Sequence, residues 1–333
     1  MAEAQYDVLG IGNAIFDVLA HVEEDALVRD NLAKGSMRLI DAEEAERLYG
    51  TMGPALRISG GCAGNTASGV ASLGGDAAFI GKVAADTLGD AYGHDMRGFG
   101  VDFQTSPLKD GAPTARSMIL ITPDGERTMN TYLGACQYLT EDDIDPDVVG
   151  AASITYLEGY LWDPPAAKVA FRKAAEIAHG AGRRVALTLS DSFCVDRFRE
   201  EFLELIRTGA VDILFANEHE LRALYQTSDL DSAVNAVRED ATLTAVTLGE
   251  KGSLAVTREE TRHVDAAPVD KIEDLTGAGD LYASGFMYGL ARGANLATCC
   301  RLGGIAAAEV ISHIGARPQE SLKDLVQQAG IAL

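Results

Sequence analysis

The sequence predicts an α/β protein: a mainly parallel central sheet flanked by helices, with a second, smaller β-sheet set apart from it. Three observations predict this. From about residue 144 onward, short apolar runs alternate with helical stretches, the pattern of right-handed βαβ units. Residues 6–11 form an apolar run closed by Gly12, which reads as a first buried strand. Two β-rich runs, 115–122 and 126–133, flank Pro123-Asp124-Gly125, and Asp-Gly between such runs signals a hairpin.

The elements follow in order. After the first strand come candidate strands at 17–22 and 36–40, around a polar stretch. Gly60 to Asn65 is a small-residue loop leading into a helix at 66–73, then a strand at 77–83 and a helix at 86–99. Beyond the hairpin, strands are expected at 153–158, 184–189, 213–216 and 244–247. Helices are expected at 165–181, 196–208, 218–225 and 230–239, and long Ala/Gly/Leu-rich helices after Leu281. No linker or repeat divides the chain, so residues 1–333 read as one domain. The small sheet is assembled discontinuously from about 14–57 and 112–136.

Composition narrows the function. The formal net charge is −22, a field that repels phosphate backbones and excludes nucleic acid as a partner. It still permits a local array of backbone N–H groups to hold an anion. Five cysteines, odd in number, scattered and without CxxC, argue against a disulfide framework or zinc site and fit a reducing compartment. Neither a basic-then-apolar N-terminal segment nor a run of about 18 apolar residues is present, so a cytoplasmic protein without membrane contact is expected.

Two nucleotide motifs fail on inspection. Gly10-Ile11-Gly12-Asn13-Ala14-Ile15 lacks the third glycine of a dinucleotide fingerprint. Gly81-Lys82-Val83 lacks both the first glycine of a P-loop, where Asp76 stands, and the hydroxyl for Mg²⁺. The six histidines show no metal spacing, and Cys299-Cys300 lies in an apolar helix.

The strongest segment is Asp274-Leu275-Thr276-Gly277-Ala278-Gly279-Asp280, followed by a helix. Gly277, Ala278 and Gly279 carry little side chain, so an anion can reach their N–H groups, and the helix dipole points the same way. This suits the charge of a transferring phosphoryl group. Asp280, at the helix start, stands where a carboxylate can accept the proton of an attacking hydroxyl. An aspartate there would otherwise only cap the helix.

With this segment the chain resembles the ribokinase-like (phosphofructokinase-B type) kinases, whose signature is Asp-Thr-x-Gly-Ala-Gly-Asp. Leu275 departs from it. Three further features match in the same order: Gly60-Gly61-Cys62-Ala63-Gly64-Asn65, Asn217-Glu218-His219-Glu220, and Thr247-Leu248-Gly249-Glu250-Lys251-Gly252. The resemblance implies a ribokinase-like three-layer fold whose small sheet is a lid, and a kinase using ATP and Mg²⁺. It implies Asp280 as base and Gly277, Ala278 and Gly279 as anion hole. Asn13, Asp17, Gly61 and Asn65 would hold the acceptor, with Arg127 reaching in from the lid. Asn217 and Glu220 would organise Mg²⁺, Glu220 through water, while Thr247, Gly249 and Gly252 would line the nucleotide. Asp274 and Thr276 would supply ligands to a monovalent cation such as K⁺.

The opening Asn13-Ala14-Ile15-Phe16-Asp17, the Gly60–Asn65 segment and the stretch 128–135 are most similar to the adenosine kinase branch, including its bacterial members. The reading is therefore a nucleoside kinase acting on the 5′-hydroxyl of adenosine. Alternatives are a sugar kinase for ribose, fructose or a keto-deoxy sugar acid, and a non-catalytic nucleotide- or sugar-binding regulator on the same fold. Ile15, Phe16, Met37, Tyr132 and Leu133 are the candidates for a purine slot. The small sheet is expected to leave one face open, through which family members often pair, so the chain is a monomer or a homodimer.

Overall fold

The computed structural model describes residues 4–124 and 126–332; Gly125 of the hairpin turn lies outside them. In chain order the strands are β1 (Tyr6–Ile11), β2 (Ile15–His21), β3 (Met37–Leu39), β4 (Leu56–Ser59), β5 (Ala77–Ile80), β6 (Val101–Asp102), β7 (Ala115–Ile121), β8 (Arg127–Tyr132), β9 (Ala152–Glu158), β10 (Arg184–Thr188), β11 (Ile213–Asn217), β12 (Leu243–Thr247), β13 (Ser253–Thr257) and β14 (Thr261–Val264).

Nine of them form one sheet in the order β14-β13-β12-β11-β10-β9-β1-β5-β6. From β12 to β6 every pairing is parallel, as the βαβ alternation requires. The central residues of these strands are mostly apolar, because helices cover both faces. One face is closed by helices Pro165–Gly180 and Ser192–Arg207, the other by Cys62–Ser72, Ala278–Ala291 and Leu296–Val310. Two antiparallel strands, β13 and β14, extend the edge beyond the expected parallel set.

Strand order reverses beside β1. The chain leaves β1 for β5 on one side and later returns to place β9 on the other. In open parallel sheets, ligands bind at the carboxyl ends of the strands at such a switch point.

The remaining five strands form the second sheet, β3-β8-β7-β2-β4. β7 and β8 are the antiparallel hairpin, and β2 lies parallel to β7 although about a hundred residues separate them in sequence. One face is covered by the chain itself. Helices Glu24–Arg29 and Ala42–Thr51 bring Leu27 and Leu48 against Val18, Met118 and Leu120. The opposite face, carrying Leu19, Ile119 and Ile121, turns toward the large sheet, where Ile314 packs against it. The Gly60–Asn65 segment differs from its expected loop form: the helix begins at Cys62, so Asn65 sits in its first turns rather than in a loop. Among the described residues, no helix is long and apolar enough to cross a membrane.

Candidate active site

The site grows from the switch point. β1 ends at Ile11 and β9 ends at Glu158, on neighbouring parallel strands whose last pair is Ile11 and Leu157. Glu158 is buried and receives three hydrogen bonds: from Asn13 Nδ2 at 2.7 Å, Asn13 N at 3.2 Å and Ala63 N at 3.0 Å. It thereby ties the exit of β1 to the start of helix Cys62–Ser72. Desolvation pushes its carboxyl up to about 7, outweighing the N–H donors that favour the charged form. Sequence reasoning missed Glu158 because its partners lie 95 and 145 residues away. The signal available was a charged residue closing an otherwise apolar strand.

Asp17 extends from β2 toward the same place, and its carboxylate packs on the backbone of Gly60. A Cβ at Gly60 would lie 2.4 Å from Asp17 Oδ2. Gly61 has a φ of +87°, and a Cβ there would lie 1.9 Å from the Asn13 carbonyl oxygen. The room that Gly61 leaves is thus taken by the Asn13 backbone, not by open pocket. Burial raises Asp17 to about 7, against the pull of Arg317 and Arg127. Asn65 Nδ2 donates to Asp280 Oδ2 at 2.8 Å, joining residues 215 apart in sequence. The buried Asn65 Oδ1 has no hydrogen-bond partner among the described residues. A buried orphan acceptor is costly, and a ligand hydroxyl would satisfy it.

Asp280 lies in the first turn of helix Ala278–Ala291, whose N-cap is Gly277 at φ +81°. A Cβ on Gly277 would meet the Ala316 Cβ at 2.8 Å, so glycine is required by both conformation and space. Ala278 N reaches Leu275 O at 3.3 Å, whereas the Gly277, Gly279 and Asp280 N–H groups end on no acceptor among the described residues. These are the orphan donors of a helix start. Burial raises the Asp280 carboxyl to about 6, while hydrogen bonds from Asn65 and Cys62 and the charge of Arg317 hold it down. It is therefore ionised at neutral pH. Leu275 is 67% exposed, so its departure from the signature leaves the loop interior untouched.

Arg127, the first residue of β8, forms an ion pair with Asp274 and donates from Nη1 to Thr276 Oγ1 at 2.8 Å. Asp274 Oδ1 also accepts from Thr276 N, and Oδ2 from Gly315 N, each at 2.9 Å. The small sheet is thus fastened to the 274–280 loop by an arginine. The two residues expected to ligate a monovalent cation are engaged by a guanidinium, which supplies the positive charge there.

Further along the large sheet, Asn217 and Thr247 are register partners at the carboxyl ends of β11 and β12. Asn217 and Glu220 form a capping box: Asn217 Oδ1 accepts from His219 N at 2.8 Å and Glu220 N at 2.9 Å, and Glu220 accepts from Asn217 N at 2.9 Å and Nδ2 at 2.6 Å. Desolvation raises buried Glu220 to about 7. A single buried carboxylate beside an amide suits hydrated Mg²⁺, which takes its remaining oxygens from water and phosphates rather than from a protein cage. Gly249 is exposed with φ +61°. Gly252 is explained by packing, since a Cβ there would lie 2.0 Å from Val264 O. The structure therefore brings Asn13, Asp17, Gly61, Asn65 and Asp280 into one cluster, Arg127 with Asp274 and Thr276 into a second, and Asn217 with Glu220 and Thr247 into a third.

Comparison with known proteins gives the same class. The chain is 56% identical to an adenosine kinase from Sinorhizobium meliloti, with a TM-score of 0.92 over 98% of this chain and 100% of that one. It is 53% identical to a probable sugar kinase from Rhizobium etli CFN 42, with a TM-score of 0.93 over 98% and 99% of the two chains. Across 92% of its length it is 27% identical to the adenosine kinase of Saccharomyces cerevisiae, covering 94% of that protein. Fold, site and relatives define a phosphotransferase with an alcohol group as acceptor. Residues 36–322 match the pfkB family of carbohydrate kinases, and the chain belongs to that family. It is a nucleoside or sugar kinase with a ribokinase-like fold, and kinases of this family use ATP and typically Mg²⁺.

Proposed function

We propose that this kinase phosphorylates the 5′-hydroxyl of adenosine or a closely related nucleoside, with Asp280 as general base. The observation that carries the reading is the Asn65–Asp280 hydrogen bond, which sets a carboxylate ionised at neutral pH against the acceptor grip and at an open helix N-terminus. Asp17, Asn13 and the orphan Oδ1 of Asn65 hold the ribose hydroxyls. Asp280 takes the proton of the 5′-hydroxyl as its oxygen attacks phosphorus. The Gly277, Gly279 and Asp280 N–H groups receive the charge of the transferring group. Asn217 and Glu220 hold Mg²⁺ through water, and Thr247, Gly249 and Gly252 line the nucleotide side. Bound Mg-ATP supplies the phosphoryl group and neutralises its charge.

The lid favours a nucleoside over a sugar. On its inward face Leu19, Ile119, Met129 and Met37 are successive cross-strand partners and form one apolar row. The neighbouring row is Asp17, Ser117, Thr131 and Leu39. Leu19 and Ile119 are buried under Ile314, so with a ribose at Asp17 the base would lie toward the open Met129 and Met37 end of the apolar row. Met37 is 48% and Leu39 55% exposed, apolar surface that a purine would cover and a small sugar would leave wet. The adenosine kinase activity named for the 56% identical relative agrees with this assignment. Of the other candidates for the slot, Ile15 shares the inward face, whereas Phe16 and Tyr132 pack into core clusters.

A panel of nucleosides and sugars with Mg-ATP and an ADP readout tests the substrate. Turnover of fructose or ribose in preference to adenosine would overturn it. Asp280→Asn should lower kcat by about 10²–10⁴-fold while ATP still binds, and near-parental turnover in that variant removes the base assignment.

A further inference from the structure

The loop after helix Leu296–Val310 carries a buried cation that touches none of the proposed reacting groups. Arg317 is 4% exposed. Its Nε donates to the Ser59 carbonyl at 2.9 Å and its Nη1 to the Gly64 carbonyl at 2.6 Å and to Ser68 Oγ. Nη2 lies 3.4 Å from Met96 Sδ, and the Phe99 ring centre is 5.3 Å from Cζ. All these partners are neutral. A guanidinium does not give up its proton in a protein, so a full positive charge is held inside without a contacting carboxylate. Burying such a charge is expensive, and it persists where something nearby gains from it.

Two sets of neighbours gain. Ser59 and Gly64 bracket the acceptor segment, so Arg317 pins Gly60, Gly61 and the first turn of helix Cys62–Ser72 from behind. The two residues before it serve the anion-binding loop: Gly315 N donates to Asp274 Oδ2, and Ala316 packs on Gly277. Residues 315–317 therefore strap the acceptor segment to the phosphate loop. The charges around the pocket are unbalanced without it. Asp280 faces Asn65 and Cys62 on one helix, with the carboxylates of Asp17 and Glu158 and the Tyr156 hydroxyl nearby. Asp17 faces Asp280 and Asp274, and its positive neighbours are Arg127 and Arg317.

We propose that Arg317 is a positioning residue for phosphoryl transfer: it locks the acceptor segment to the anion-binding loop and supplies the positive charge that balances Asp17 and Asp280 from behind the pocket. This rests on the assignment of Asp280 as base. Arg317 touches neither acceptor nor nucleotide; it acts through the two carboxylates.

The test is the pH profile of kcat/KM for adenosine, or for the panel acceptor that is turned over, at saturating Mg-ATP. The parent should lose activity as pH falls through about 6. Arg317→Met and Arg317→Gln remove the charge, the second keeping an N–H donor for the carbonyls. Either should move the acid limb up by about one pH unit, with activity recovering above about pH 8. Arg317→Lys should keep the parental limb. A purely structural role lowers the rate equally at every pH. A parental limb in either neutral variant, or loss of folding in the Met, Gln and Lys variants alike, overturns the inference. Asp280→Asn, assayed alongside, separates the two readings. If it stays active, the base assignment fails. If it is inactive while the neutral Arg317 variants keep the parental limb, only the role of Arg317 fails.

Discussion

The ion pair between Arg127 and Asp274 fastens the small sheet to the 274–280 loop, and its strength can be worked from its surroundings. The Arg127 side chain is 14% exposed and that of Asp274 2%. Removing one partner of such a pair leaves a buried charge uncompensated, a loss of about 3–5 kcal/mol. In Arg127→Met, Asp274 keeps the N–H groups of Thr276 and Gly315, which places the expected cost at the lower end, about 3 kcal/mol. In Asp274→Asn the arginine can turn to solvent, so that cost should be smaller, about 1–2 kcal/mol. At about 2.1 cal/mol/K per residue, 333 residues give an unfolding entropy of about 0.7 kcal/mol/K, so about 3 kcal/mol lowers Tm by about 4 °C. The assay is calorimetry on both single variants and the double variant. The double variant should be more stable than the two single costs predict, by about 1–2 kcal/mol. Additivity within about 0.5 kcal/mol would refute a coupled pair.

Three further outcomes follow from the same geometry. Glu158 has a folded pKa of about 7, above its ordinary carboxylate value, so the folded state holds a proton that the unfolded state releases. Stability from this group is present below about pH 4.5 and is lost as pH rises toward 7. Glu158→Gln should therefore flatten the fall of Tm between pH 5 and 8, and an unchanged slope would contradict the assignment. Because Arg127 already engages Asp274 and Thr276, replacing K⁺ with Na⁺ or tetramethylammonium should change the initial rate by less than about two-fold. Met129→Ser, which interrupts the apolar row, should raise KM for adenosine by about ten-fold, as expected for losing about 1.5 kcal/mol of apolar contact. In the same assay it should leave the KM for Mg-ATP in place.

The fold was legible where chemistry repeats locally. Alternating apolar runs and helices reveal the parallel sheet, and Asp124-Gly125 with its flanking runs reveals the β7–β8 hairpin. Asp280 was singled out as a carboxylate among small residues at a helix start, and Asn65 and Asp17 only through the resemblance; the structure places the three in one cluster. The edge pair β13 and β14 was not, since Thr261–Val264 is exposed and carries no apolar alternation. The helices over one face of the small sheet were hidden in a charged stretch, and they bury only Ala26 and Leu27, then Ala45 and Leu48. Glu158 and Arg317 escaped for another reason. Each works through partners 95 to 258 residues distant, and no spacing within a window registers such contacts.

The joints between the two sheets have a consequence for how the enzyme handles its substrate. β1 belongs to the large sheet and β2 to the small one, and only Gly12, Asn13 and Ala14 lie between them. The return crossing, from β4 to helix Cys62–Ser72, is made by Gly60 and Gly61. Two longer crossings, 103–114 and 133–151, also join the sheets, so these are the two shortest of four links, and they are the units that carry Asn13 and crowd Asp17. The shortest joints and the proposed acceptor grip are one piece of chain. On the proposed acceptor assignment, a molecule bound there is held at the joint between the two sheets rather than on the face of either one.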